Sequence, residues 1–345
     1  MDVTQKQAFC KYPFEHLHIH VDGRLYMCCY QRLIPIGNIL ENSLEDIWYG
    51  EIAHEIRAKI IASELPDACL GGGCPYLHQG RFKSEPIEKV QLPKIFFIYL
   101  PNTHCNIGGT RPTAKSPACI MCERDAPGYV FDKENHLNQI LPLLRPYMNQ
   151  INQLHIQGVA EAFWKDAIFE VLDLLDFDSY REDVKVTTVT NGILLNNAKL
   201  TKFLQRVPRV GIAWSLDAAT PETYKKIRRL DVFDKICENI RQYSKVKSMR
   251  GQMEFKIQHN INTLNVHETV EMVRFAHSVD AEVLEFNVTG STGHIDHILV
   301  NQQNCHIFKE AQLKAEAEAK KLGVRTIFLM PLDLNLTNST SGAIL

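Results

Sequence analysis

The sequence predicts an α/β protein: an incomplete parallel β/α barrel of about six units, preceded by a small cysteine-rich α+β domain. Three observations lead there. From Pro93 onward, short β-branched and apolar runs alternate with longer helical patterns. Strands alternating with helices imply right-handed crossovers and a parallel sheet. Before that point the texture differs, because residues 1–85 hold five of the ten cysteines and one good helix. The third observation is size. A chain of 345 residues, 45% apolar and 23% charged, is an ordinary globular chain long enough for two domains, or for one large barrel with an attachment. The boundaries expected are a cysteine-rich domain over 1–85, a linker over 86–92, the barrel over 93–332 and a tail over 333–345.

Each element has a local reason. "HLHIHVDGRLYMC" alternates on both sides of Asp22-Gly23, a dipeptide favoured in tight turns, and reads as a hairpin. Ser43 in "NSLEDIW" can cap a helix that runs to about Ala62. "KSEPIEKVQLP" carries two prolines and mixed charge, as a linker would. Strands are then expected at 94–100, 153–158, 184–189, 210–214, 254–259, 283–288 and 325–330, with helices over 162–176, 221–243, 266–279 and 303–322. Thr220-Pro221 marks one helix start, with proline at the first position, where its missing N–H costs nothing. The polar tail "LNLTNSTSGAIL" reads as a loosely held strand or a lid.

Charge and hydropathy narrow the function. The 38 basic and 40 acidic residues nearly cancel, so no electrostatic reason exists for nucleic acid or an acidic membrane as the main partner. No apolar run reaches the roughly 18 residues of a membrane helix. The first residues lack the apolar core of a secretory signal, and a cytoplasmic location is expected. In a reducing compartment, clustered cysteines point to metal or catalysis and away from disulfides. All but Cys237 and Cys305 fall between Cys10 and Cys122. Those two lie in or near helical patterns and read as small buried hydrophobes.

"KIFFIYLPNTHCNIGGTRPTAKSPACIMCERD" puts Cys105, Cys119 and Cys122 on the loop after the first barrel strand, at the end where β/α barrels carry their chemistry. Three thiolates can hold a four-iron cluster through three irons and leave the fourth open to a ligand. The same cysteines suit a zinc site, although zinc normally takes four ligands. Later strand ends add "HIQGVAEAFW" with Gly158 and Glu161, "TVTNGILL" with Asn191, and "AWSLDAATPETYKKIRR" with Ser215, Asp217 and Arg228.

With these stretches in place, the chain resembles the radical S-adenosylmethionine (SAM) enzymes, whose barrel is an incomplete (β/α)6 barrel. The resemblance implies that Cys105, Cys119 and Cys122 ligate a [4Fe-4S] cluster. It implies that Gly158, Val159, Ala160 and Glu161 take the methionyl ammonium, Ser215 the ribose and Arg228 the SAM carboxylate, with Asn191 close by. The physical chemistry agrees, because a zwitterionic sulfonium needs an anion for its ammonium and a cation for its carboxylate. The chain departs from the family in its spacing, C-x(13)-C-x(2)-C in place of C-x(3)-C-x(2)-C. The extra residues are Gly, Pro and small polar types that can form an excursion without burying anything, and loop closure grows only slowly with length. Met121 replaces an aromatic residue and Ala162 a proline of the family pattern.

Cys10 is followed by twelve residues, Gly23, four residues and Cys28, then by a Gly-Asn turn, a helix, Cys69 and Cys74. This resembles the SPASM or twitch extension of the same enzymes, here ahead of the barrel and not behind it. The resemblance implies a second, auxiliary [4Fe-4S] cluster on Cys10, Cys28, Cys69 and Cys74, saturated and suited to electron transfer. Structural zinc on the same thiolates is the alternative, and Cys29 competes with Cys28 as ligand. His16, His18 and His20 alternate on one strand and read as a polar sheet face, with metal binding as the alternative. His259 and Asn287 close the fifth and sixth strands and, with Asp217, are candidates for substrate contact or proton transfer.

The function implied is reductive cleavage of SAM to a 5′-deoxyadenosyl radical, with ferredoxin or flavodoxin as reductant, followed by hydrogen abstraction from substrate. Relatives with this extension mostly modify peptides or proteins, which favours that substrate class. Sugar or aminocyclitol dehydrogenation is the alternative within the class. A degenerate, non-catalytic metal-binding protein is the alternative outside it.

Overall fold

The computed structural model describes residues 6–8, 10–29, 34–70, 74, 85–87, 90–109, 111–126, 128–180, 184–250, 253–288, 298–299 and 303–329. The tail expected over 333–345 lies outside them. The chain divides into two compact units. The first comprises residues 1–101, 132–158 and 167–186, and the second comprises residues 102–131, 159–166 and 187–345.

The first unit begins with β1 (Lys6–Ala8), α1 (Tyr12–Glu15), β2 (His16–Ile19), β3 (Arg24–Tyr26) and β4 (Gly37–Asn38). β2 and β3 form the expected hairpin, with His18 opposite Tyr26 and Gly23 at φ +87° in the turn. Ser43 caps α2 (Leu44–Trp48), its hydroxyl accepting from the Asp46 N–H at 3.1 Å. The single helix expected to run to about Ala62 is two. The chain turns extended at Gly50 (φ −67°, ψ 170°), which caps α3 (Glu51–Ile61). A Cβ at Gly50 would sit 2.7 Å from the Asp46 carbonyl oxygen, so glycine permits the break. After α4 (Asp67–Leu70), β5 (Glu85–Ile87) pairs antiparallel with β1, inside the stretch read as linker. Next come β6 (Ile95–Tyr99), α5 (Leu137–Leu144), β7 (Gln153–Gln157) and α6 (Ala167–Leu174). β6 lies between β2 and β7, parallel to both.

One face of these three strands carries Leu17, Ile19, Phe96, Ile98, Leu154 and Ile156, all fully buried. Each contributes about 1.5–3 kcal/mol by leaving water. The other face carries the histidines of the expected polar face, but stacked against aromatic rings and partly buried. His18 is opposite Phe97, and Phe97 is opposite His155. Their rings stack at 4.1 and 4.0 Å with interplanar angles of 7° and 3°. Tyr12 stacks on His16 at 4.2 Å. Flat, weakly polar imidazoles complete an aromatic ladder, as cross-strand ring pairs do.

β8 (Lys185–Thr190) spans the division between the units. The second unit continues with α7 (Asn197–Arg206), β9 (Arg209–Ser215), α8 (Pro221–Arg228), α9 (Phe233–Arg250), β10 (Met253–Ile261), α10 (Thr269–Ser278), β11 (Val283–Val288), α11 (Cys305–Leu322) and β12 (Thr326–Phe328). β9, β10, β11 and β12 are parallel neighbours in that order. Tyr243 of α9 packs between Trp214 and Phe255 at 5.6 and 5.2 Å. It also donates its hydroxyl to the Glu254 carbonyl at 2.8 Å.

Thr220 caps α8 with Pro221 behind it, as expected. The helix expected over 221–243 is broken, because Arg229 adopts φ 58° and closes α8. Its guanidinium is tied to the Ala118 carbonyl at 2.9 Å and to Asp125 at 2.8 Å. The expected helix 162–176 begins only at Ala167, since Lys165 and Asp166 take φ of 49° and 61°.

The histidine ladder makes stability pH-dependent. Burial pushes His16 down to about 4. Burial and the neighbouring imidazoles hold His18 well below its ordinary range. The unfolded chain protonates these rings near pH 6.5. Between pH 6.5 and about 4 the unfolded state therefore binds more protons, and stability falls as pH falls. For His16 alone the loss on going from pH 7.5 to 5 is about 2 kcal/mol. Denaturant titrations of the metal-free protein at the two pH values will show it, and His16→Phe, which keeps the stack, will reduce it.

Candidate functional site

The site in the second unit is built where β8 and β9 end. β8 finishes at Thr190, and the chain reverses at Asn191-Gly192. Gly192 has φ +79°, and a Cβ there would lie 2.9 Å from Ile236 Cγ2 and 3.0 Å from Trp214 Cε3. The turn is held from within by the Ile193 N–H on Asn191 Oδ1 at 3.1 Å and the Gly192 N–H on Thr190 Oγ1 at 3.0 Å. From outside it is held by Asn239 Nδ2, which donates to the Gly192 carbonyl at 2.8 Å.

This turn aims its donors at Glu161, a carboxylate 2% exposed. Oε1 accepts from the Thr190 hydroxyl at 2.7 Å and the Phe163 N–H at 3.3 Å, and Oε2 accepts from the Asn191 N–H at 2.8 Å. Burial raises its pKa, and the donors from Asn191, Thr190 and Phe163 pull the other way. A carboxylate has about four acceptor positions, so one remains on Oε2. Two further bonds tie this region to the cysteine loop. The Glu161 N–H donates to the His104 carbonyl at 2.6 Å, and Asn191 Nδ2 donates to Asn106 Oδ1 at 2.7 Å.

The cysteine loop explains its own long spacing. Its tip is a small antiparallel bridge between Thr113 and Ser116, with N–H···O distances of 3.0 Å in both directions. The roots return to one place, where a Cβ on Gly108 (φ +72°) would lie 2.9 Å from the Ala118 nitrogen. The excursion is not free of burial, because Ile107 and Ala118 at its roots are 2% and 1% exposed. Arg124 donates to the Ile107 and Gly109 carbonyls at 3.3 and 2.7 Å. The Ile120 N–H donates to the Ile227 carbonyl at 2.9 Å, fixing the loop to α8.

The three thiols lie within electrostatic reach of one another. Burial pushes Cys122 up to about 12, with Cys119 and Cys105 adding to the effect. Burial also raises Cys105 and Cys119, and Arg228 opposes it at Cys119. Sulfur receives N–H donors from Ile107 (3.4 Å, Cys105) and Arg228 (3.6 Å, Cys119). Among the described residues, no three His, Cys, Asp or Glu side chains are gathered tightly enough for a single ion. Three thiols on one loop, two of them with N–H donors on sulfur, have the donor chemistry of a cluster held through separate irons.

Ser215, Asp217 and Arg228 come together at the end of β9. Arg228 donates from Nη2 to Ser215 Oγ at 2.6 Å and from Nη1 to Cys119 Sγ, and it forms an ion pair with Asp217. Asp217 is wholly buried. Its Oδ1 accepts from the Asn260 N–H at 2.9 Å, and its carbonyl accepts from Asn265 Nδ2 at 2.9 Å. Glu268 holds the same loop, accepting from the Ala219 N–H at 2.6 Å and the Thr220 hydroxyl at 2.5 Å.

His259 borders this network, within reach of the charges of Asp217, Glu268 and Arg228. It is buried on the side of β10 shared with Phe255 and Ile257, and its Nδ1–H donates to the Leu216 carbonyl at 2.9 Å. Burial lowers its pKa, against the pull of Asp217 and the Leu216 carbonyl. Asn287 belongs to a separate cluster around Glu285, which also holds Lys256 and Gln258 at 2.9 and 2.7 Å. Val159 is 39% exposed. Thr190, Asn106, Asn260, Asn265 and Glu268 escaped the sequence reading. The asparagine-rich run "HNINTLN" was the available signal for two of them.

In the first unit, Gly158 closes β7 at φ +144°, where a Cβ would lie 3.1 Å from the Leu100 carbonyl oxygen. Burial pushes Cys10 up to about 12 and Cys69 up to about 11. The thiols that add to the effect on Cys10 are those of Cys28, Cys69 and Cys74.

A family model described as SPASM, an iron-sulfur cluster-binding domain, matches residues 10–75. Among curated proteins the chain is similar to a probable GTP 3′,8-cyclase of Saccharolobus islandicus, 26% identical over 47% of this chain and 48% of that protein. It is also similar to the GTP 3′,8-cyclase of Aliarcobacter butzleri, 28% identical over 37% and 39%. The chain thus matches about half the length of the first of these relatives or less. Among solved structures it is similar to anSMEcpe with bound AdoMet, at TM-score 0.51 and 17% identity over 68% of this chain and 64% of that one. Streptococcus suis SuiB bound to precursor peptide SuiA aligns at TM-score 0.48 and 11% identity over 93% and 72%. Likeness at these identities concerns the fold.

The Asn191-Gly192 turn depends on glycine. Gly192→Ala is expected to destabilise the protein by about 1–3 kcal/mol through backbone strain, measured by chemical denaturation.

Proposed function

We propose that this chain, whose fold is that of the radical SAM superfamily with an amino-terminal SPASM domain, binds S-adenosylmethionine beside a cluster on Cys105, Cys119 and Cys122 and uses it to abstract hydrogen from a substrate. When bound, the two groups supply a low-potential electron and a 5′-deoxyadenosyl radical. The observation that carries the reading is a pair of buried, opposite charges, each hydrogen-bonded to the cysteine loop or to its neighbour. Glu161 keeps one acceptor position for an ammonium. Arg228, held by Ser215 and Asp217, offers a fixed cation for a carboxylate. Such charge-assisted pairs fix the orientation of a zwitterion. The Asn191 side chain, on Asn106, keeps the Glu161 turn in register with the cysteine loop.

In the first unit, Cys10, Cys28, Cys69 and Cys74 hold the auxiliary cluster, with Cys29 the alternative to Cys28. The SPASM match supports an iron–sulfur cluster in the first unit, and the resemblance to enzymes carrying that extension favours oxidative modification of a peptide or protein. The partial likeness to GTP 3′,8-cyclases supports a second reading, a small-molecule substrate. A non-catalytic role fits poorly with a costly set of buried charges arranged around the cysteine loop. Asp217, wholly buried and ion-paired with Arg228, acts as its counter-ion. The reductant is a ferredoxin or flavodoxin.

Anaerobically reconstituted, reduced protein is expected to form 5′-deoxyadenosine from SAM, and Cys119→Ala is expected to form none. Absence of product from the iron-loaded protein, with and without substrates, contradicts the reading. Candidate peptides are expected to lose two hydrogens or gain a cross-link by mass spectrometry. Unchanged peptides together with an oxidised alcohol favour the small-molecule reading. Glu161→Gln is expected to weaken SAM binding about 10- to 100-fold, the worth of a hydrogen bond to a charged group, measured by equilibrium dialysis.

A further inference from the structure

Arg228 touches a cysteine sulfur and a buried carboxylate at the same time. Its Nη1 lies 3.6 Å from Cys119 Sγ, while Asp217 pairs with the same guanidinium. Neither charge can move far. Arg228 is 8% exposed and fixed by Ser215 Oγ at 2.6 Å. Asp217 is 0% exposed and fixed by the Asn260 N–H at 2.9 Å, with its backbone carbonyl held by Asn265. Cys119 itself is 6% exposed.

We propose that the Arg228–Asp217 pair sets the reduction potential of the cluster held by Cys119, the cation raising it and the carboxylate lowering it. This rests on the reading that Cys105, Cys119 and Cys122 hold an iron–sulfur cluster. Reduction adds a negative charge to a cluster already carrying thiolates. Hydrogen bonds to the sulfurs, net charge and solvent exclusion are the protein's means of setting its potential. A guanidinium N–H aimed at a ligating sulfur stabilises the reduced form. A buried carboxylate one guanidinium away opposes it, and burial strengthens both effects because little water screens them. Cys105 and Cys122 have a different cation nearby, Arg124, so the pair acts chiefly through Cys119. Asp217 is on this account a charge-balancing residue. It limits how far the cation raises the potential, while Ser215 Oγ holds the guanidinium in place.

The test is a redox titration followed by electron paramagnetic resonance on the full-length, anaerobically reconstituted protein, with iron and sulfide measured for each sample. The barrel cluster is the signal that Cys119→Ala removes. Arg228→Gln is expected to shift its midpoint negative, lowering the reduced-to-oxidised ratio at fixed potential about tenfold, which is ~59 mV for one electron. Arg228→Lys keeps the charge but not the fork and is expected to shift it less in the same direction. Asp217→Asn is expected to shift it positive. Unchanged midpoints in cluster-loaded variants, or shifts of the same sign for Arg228→Gln and Asp217→Asn, overturn the proposal. Should Arg228→Gln fail to assemble a cluster, the opposite signs expected of Arg228→Lys and Asp217→Asn still decide it. A wild-type protein with no iron–sulfur signal removed by Cys119→Ala overturns instead the reading beneath it.

Discussion

A charge buried away from water must be paired, and the second unit is organised around that requirement. Glu161, Asp217 and Arg228 are all at most 8% exposed, in surroundings where an isolated ion would cost several kcal/mol. Glu161 is met by the donors of Thr190, Asn191 and Phe163, and Arg228 by Asp217 and Ser215. These partners come from three separated stretches of sequence, around Phe163, Thr190–Asn191 and Ser215–Asp217. The charges can be satisfied only if the ends of β8 and β9, the α8 helix and the cysteine loop take their places together.

Local backbone features follow from this. Gly192 is tolerated in a left-handed turn because that turn presents two donors to Glu161 through Thr190 and Asn191. Arg229 closes α8 in a left-handed conformation while holding the Ala118 carbonyl, one residue before Cys119. Strain of this kind collects where surrounding contacts over-determine the backbone. The long cysteine spacing is accommodated in the same way. The loop returns on itself through the Thr113–Ser116 bridge and is pinned at its roots by Arg124, so its length does not loosen the placement of Cys119.

The strand–helix rhythm is legible in the sequence because apolar periodicity and parallel pairing arise from the same burial. All seven expected barrel strands have counterparts in β6 to β12. Breaks in helices are less legible. Gly50 permits one quietly, and Arg229 makes another through contacts more than 100 residues away in sequence. Charged residues at strand ends can be read as candidates, since Glu161, Ser215 and Arg228 carry the right chemistry in the right order. Their partners cannot be read in this way. Thr190, Asn260 and Asn265 are ordinary turn and strand residues until the fold supplies something to hold. The histidines of β2 are half-legible for a related reason, because alternation reveals a shared face but not that Phe97 and His155 are stacked against it.

The central claim is that Cys105, Cys119 and Cys122 hold a cluster with one iron open to a zwitterion fixed by Glu161 and Arg228. The most direct measurement is the electron paramagnetic resonance spectrum of the reduced, reconstituted protein before and after adding S-adenosylmethionine. The account predicts a changed cluster signal in the wild type, with no such change in Cys119→Ala. A signal that SAM leaves unaltered, or a protein that takes up zinc and no iron, would contradict it.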